Sequence, residues 1–99
     1  MKAIHWTNKA KSRLRHIEKT IAEDDPKAAK RMVARIIDKA DQAGELALSG
    51  KVVPEYVRDD LREVKEHPYR IIYRIKEDQI DVITVKHVRQ QLPRQIGKL

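Results

Sequence analysis

Apolar residues recur at Ala10, Leu14, Ile17 and Ile21, with Lys9, Lys11, Arg13 and Arg15 among the positions between them. That spacing predicts an amphipathic helix from about residue 8 to 23, capped by Thr7 and preceded by a short β-compatible run over 2–6. Asp25 can cap a second start, and Pro26 suits a first helical turn because its missing N–H would be unpaired there anyway. The second helix is expected from Pro26 to about Ala43, with Ala29, Met32, Val33, Ile36, Ile37 and Ala40 on its apolar face and Gly44 as its C-cap. A link this short between helices predicts an antiparallel hairpin.

Beyond a loop over 45–60, marked by Gly50 and Pro54, the period changes. The runs 61–67, 69–75 and 80–88 alternate or are rich in β-branched and aromatic residues, and a polar turn joins the last two as a hairpin. The order is β-α-α-β-β-β, an α+β fold: a small antiparallel-rich sheet with a helical hairpin packed on one face. In "YRIIYRI", alternation assigns Tyr69, Ile71, Tyr73 and Ile75 to the face under the helices. Arg70, Ile72 and Arg74 then form a second face that is expected to stay half-open.

Length adds one constraint: residues 1–99 make a single domain. With no Phe and only four aromatic residues, the core is aliphatic. Twenty-two Lys and Arg against fifteen Asp and Glu give a formal charge of +7, a field that attracts phosphate backbones or an acidic protein partner. The lack of cysteine excludes disulfides and thiolate chemistry. The histidine spacings suggest no metal site, and no cofactor is expected. No stretch has the apolar length of a membrane span or a signal peptide, so a cytoplasmic location and no membrane partner are expected.

The charge in the strands is the chemical clue. Arg70 and Arg74 lie in a segment without an acid, and arginine forks match phosphate oxygens bidentately. The last strand ends in Lys86, His87 and Arg89, which antiparallel pairing could bring near the start of the strand before it. Glu55, in the preceding loop, could complete an acid–base set for phosphodiester cleavage. The carboxylate would take a 2′-hydroxyl proton, Arg70 would stabilise the phosphorane and His87 would protonate the leaving oxygen. The alternative for each is ordinary: a solvated face for the arginines, a strand-end histidine, a loop glutamate.

Four segments, "IHWTNKAKSRLRHI", "VPEYVRDDLREV", "YRIIYRI" and "IDVITVKHVRQQLP", together resemble the RelE/ParE superfamily of type II toxin–antitoxin toxins. The resemblance covers roughly residues 3 to 93. RelE-type members cut mRNA on the ribosome, whereas ParE-type members share the fold, poison DNA gyrase and lack the nuclease residues. Arg70 matches the position of the nucleases' phosphate-binding arginine, and Glu55 resembles the general base of one nuclease branch. The ending departs from that branch: His87 is followed by Val88 instead of Tyr, and it aligns one residue away from the nuclease histidine.

The resemblance therefore implies a ParE-like gyrase inhibitor that is not itself an enzyme. The alternative is a RelE-like, ribosome-dependent mRNA endonuclease using Glu55, Arg70 and His87. A non-toxic basic nucleic-acid-binding domain ranks third, because no recognition-helix motif, phosphate loop or RNP-type aromatic pair is present. Either toxin implies a cognate antitoxin as partner. Arg62, Arg70, Ile72, Arg74, Lys86 and Arg89 are the residues expected to meet target or antitoxin, with Ile72 as the apolar centre of that contact.

Overall fold

The computed structural model describes residues 2–99. Its elements are β1 (Ala3–Trp6), α1 (Asn8–Ala22), α2 (Pro26–Glu45), β2 (Lys51–Val52), β3 (Leu61–Glu66), β4 (Tyr69–Ile75) and β5 (Gln79–His87). Short 3₁₀ turns follow α2 and close the chain. The strands lie in the order β1-β5-β4-β3-β2. β1 runs parallel to β5 and every other pairing is antiparallel. The expected α+β order holds, with the two-residue β2 added inside the stretch read as loop.

Both helix starts form as their capping residues dictate. Thr7 Oγ1 accepts from the N–H of Ala10 and donates to the carbonyls of Val82 and Ile83, so one side chain caps α1 and fastens it to β5. Asp25 Oδ1 accepts from the N–H groups of Lys27 and Ala28. The far end of α2 departs from expectation. Gly44 is not the C-cap but a buried residue of the last helical turn. A Cβ there would lie 2.7 Å from the side chain of Ile4, and its carbonyl accepts from the N–H of Lys2. Glycine is required by the close approach of β1, not by a helix stop. Ile37, assigned to the apolar face, is 38% exposed.

The helices cover one face of the sheet. Ala10 and Ile17 of α1 and Ile36 and Ala40 of α2 pack on Ile71, Val82 and Val85. Full burial of each branched aliphatic side chain is worth about 1.5–3 kcal/mol. The second face is not half-open, as alternation alone suggested. Ile72 is fully buried there with Val53, Leu61 and Leu99, flanked by Tyr56, Ile83, Leu92 and Ile96. The loop after β2 and the C-terminal tail close over it, pinned by Tyr56 Oη donating to the Pro93 carbonyl at 2.6 Å.

One irregularity in β5 decides where its charged end points. Ile72 pairs with Thr84 but Tyr73 pairs with Val82, so Ile83 is an extra, bulged residue. The bulge reverses the alternation beyond it. Val82 and Val85 both reach the helices, Lys86 comes opposite Arg70, and His87 comes opposite Tyr69. Unbulged, the alternation would have put His87 on the Arg70 face.

Candidate functional site

Arg70 is the most heavily committed charged residue in the fold. It is 7% exposed, and two carboxylates hold its guanidinium. Nη1 and Nη2 donate to the two oxygens of Glu55, each at 2.8 Å, and Nε donates to Glu63 Oε1 at 2.6 Å. Glu63, on β3, is 5% exposed. Both edges of the fork are thus filled, one by each glutamate. The Glu55 carboxylate, foremost, with burial opposing it and Glu63 adding to it, holds Arg70 above the ordinary arginine range. Arg70 in turn holds Glu55 below the usual carboxylate range.

The backbone that carries Glu55 is a tight turn. Tyr56 and Val57 both donate their N–H to the Val53 carbonyl, and Val57 takes φ 50°, a left-handed conformation rare for a β-branched residue. Val53 is buried beneath it, so the turn is anchored by an apolar side chain and by the ion pair. Chemically, this cluster of two carboxylates and one guanidinium has no free arginine edge to offer a phosphate. A phosphate could take the outer edge only by displacing Glu55.

The structure brings together only part of the set read from sequence. Glu55 and Arg70 meet, but His87 stands across the sheet. Its ring lies edge-on to Tyr69 with centroids 5.7 Å apart, on the side of α1. Its Nδ1 accepts from the backbone N–H of Arg89. Arg62 is turned back onto the loop, donating to the carbonyls of Asp59 and Gly50. Arg74 is half-buried, with Nε 3.8 Å from Asp60 Oδ2 and no hydrogen bond. Ile72, expected at the centre of a contact surface, is instead core. Arg89 is exposed, and Lys86 is 8% exposed. Burial, and then the charges of Arg13 and Lys9, push the Lys86 ammonium below the ordinary lysine range.

Glu63 was missed as Arg70's partner. Its signal was faint: it follows Leu61 by two residues, so it shares that residue's face, but only the register that sets it opposite Ile72 makes it diagonal to Arg70. Arg13 and Lys9 were also missed, since nothing in the helical period says which strand end they approach. Among the described residues, no group of three or more His, Asp or Glu side chains lies together as a metal site. Among the described residues, no helix is long and apolar enough to cross a membrane.

Comparison with known proteins agrees with this architecture. The family profile described as "ParE toxin of type II toxin-antitoxin system, parDE" matches residues 4–92. A curated protein of Sinorhizobium fredii, "Putative toxin Y4kP", is 41% identical over 93 residues, covering 93% of this chain and 94% of the relative. Among solved structures, a chain of "Chromosomal ParDE TA system from P. aeruginosa" superposes with a TM-score of 0.74 over 88% of this chain and 96% of its own. At 22% identity that superposition speaks for the fold.

Proposed function

The chain belongs to the ParE toxin family of type II toxin–antitoxin systems, and on that premise we propose that it acts in the cytoplasm by inhibiting DNA gyrase and is neutralised by a cognate antitoxin. The supporting observation is the state of Arg70. A nuclease of the related branch needs that arginine free for the scissile phosphate and a general acid beside it. Here Glu55 and Glu63 fill the guanidinium, and the bulge at Ile83 carries His87 to the opposite face. Toxicity then comes from binding, with no bond made or broken by the toxin. An antitoxin with an acidic segment suits a chain of formal charge +7.

The test uses purified toxin, free of antitoxin, in two parallel assays. Supercoiling by gyrase is expected to fall in proportion to added toxin, and mRNA on programmed ribosomes is expected to stay intact by toeprinting. Cleavage at the ribosomal A site with unimpaired supercoiling would overturn the proposal in favour of the endonuclease.

A further inference from the structure

Between α1 and the ends of β4 and β5 lies a cavity of about 200 Å³ that the toxin reading does not use. Its polar lining is Arg13, His16 and Thr20 from the helix with Tyr69, His87 and Gln90 from the sheet end. No carboxylate lines it, and none of its three cationic or cation-capable residues takes part in an ion pair among the described residues. Lys86, one residue from His87, feels the charges of Arg13 and Lys9 from the same helix. Among the described residues only Arg58, Arg62, Arg70, Arg74 and Lys76 of the twenty-two Lys and Arg are in ion pairs, so what sets this end apart is the lack of any carboxylate in the cavity lining.

The hydrogen bonds already made here consume acceptors and leave donors. His87 Nδ1 accepts from the Arg89 N–H at 3.1 Å, so the neutral ring carries its proton on Nε2. Gln90 Oε1 accepts from the His87 N–H at 2.8 Å, which leaves its amide N–H₂ free. The ring itself is steadied by the edge-on contact with Tyr69. Arg13, His16, Thr20 and Tyr69 add donors from the other walls. A ring of donors without a competing carboxylate suits an oxyanion with several oxygens. The volume is below the roughly 300–1,000 Å³ that engulfs a whole small molecule, so the cavity suits one anionic group of a larger ligand.

We propose that this cavity is a phosphate-binding site, in which Arg13, His16 and His87 hold the phosphate group of a nucleotide or of a nucleic-acid strand. Arg13 supplies the fixed charge and a two-pronged edge, and His16 and the Nε2–H of His87 close on the remaining oxygens. Lys86 and Lys9 add to the attracting field without filling the cavity. The site is separate from Arg70, whose donors are taken, and it does not depend on which cellular target the toxin has.

The experiment is a titration of the full chain with inorganic phosphate, followed by the imidazole C–H resonances of its four histidines. His16 and His87 are expected to shift together and saturably, while His5 and His67, which do not line the cavity, stay in place. Arg13→Ala and His16→Ala should each weaken binding by about tenfold or more. Arg15→Ala, the same loss of charge on the same helix but outside the cavity, should change it by less than about twofold. His16 and Arg15 are exposed, so those variants keep the fold. Equal, unsaturating movement of all four histidines would overturn the site, and so would equal shifts with acetate, which would mark a carboxylate seat for an acidic peptide. A mononucleotide and a short single-stranded oligonucleotide then separate the two sources. Tighter, steeply salt-dependent binding of the oligonucleotide identifies a strand phosphate, and equal binding identifies a terminal one.

Discussion

Glu63 of β3 accepts from Nε of Arg70 on β4 at 2.6 Å, and both side chains are more than nine-tenths buried. The pair sits diagonally across neighbouring strands, and Glu55 closes the other edge of the same guanidinium from the loop after β2. One arginine thereby joins three consecutive segments, the loop after β2, β3 and β4. The residue that looked most like a phosphate ligand in the sequence is a structural hub of the second sheet face.

Arg70→Ala should accordingly fail as a clean probe of activity. It leaves Glu63 charged and buried with no partner, a loss of about 3–5 kcal/mol. That is a large share of the stability of a domain this size, which runs to about 5–15 kcal/mol. Urea unfolding of Arg70→Ala is expected to show a midpoint shifted far down. The double change Arg70→Met with Glu63→Leu should recover much of the loss, since it removes both buried charges together.

Glu55 sets an acid limit on the fold. Its carboxyl is held below the unfolded value of 4.5 chiefly by the hydrogen-bonded Arg70. A depressed carboxylate contributes stability that is complete above its unfolded pKa and is lost as pH falls through its folded one. The side chain is 39% exposed, so solvent screening limits the contribution to about 1 kcal/mol or less. Glu55→Gln should therefore lower stability slightly at pH 7, and the gap to the unsubstituted chain should begin to close as pH drops below 4.5 and vanish below the depressed folded value. Thermal unfolding across that range measures it.

The helices and the three long strands were legible because their periods are set by burial on one face. Thr7, Asp25 and Pro26 marked both helix starts, since capping is a local matter of one side chain and the next turn. What the sequence concealed depends on non-local pairing. β2 is two residues long and exists only because β3 offers an edge. The cover over Ile72 comes from the loop after β2 and the C-terminal tail, residues sixteen or more positions away. The extra residue at Ile83 follows from register, yet it alone decides that His87 leaves the Arg70 face. Glu55 beside Arg70 was reachable from the sequence as a pairing of types. Its meaning was not, because the second glutamate that fills the fork was hidden in β3.

Gly50 exposes how tightly the β2 end is built. Its N–H donates to Tyr73 Oη, which donates to the Ala47 carbonyl at 2.6 Å. A Cβ at Gly50 would stand 2.3 Å from that hydroxyl and 2.8 Å from the Glu63 carbonyl. The φ there is an ordinary −73°, so the requirement is space and not conformation. Gly50→Ala is expected to cost about 1–3 kcal/mol through forced displacement of Tyr73. Tyr73→Phe removes the hydroxyl and should cost about 1 kcal/mol. In the double variant the Gly50→Ala penalty should shrink, and a denaturation cycle of the four proteins reads that coupling.

Lys86 is the position where stability and the proposed anion site pull apart. It is 8% exposed, and among the described residues it has no carboxylate partner. Burial is the main reason its ammonium is destabilised, and the charges of Arg13 and then Lys9 add to it. Lys86→Met keeps the length and the apolar stem while removing the charge, and should raise stability at pH 7 by about 0.5–2 kcal/mol. The sign of the pH dependence checks the cause. Below the depressed folded pKa both states carry the proton and the penalty is complete, and it is relieved as pH climbs toward the unfolded value of 10.5. The advantage of Lys86→Met should thus be full at pH 7 and shrink in alkaline solution. The same variant should bind inorganic phosphate more weakly, because the charge that destabilises the free protein is part of the field that draws the anion. Chemical denaturation at several pH values, with and without phosphate, measures both effects in one series.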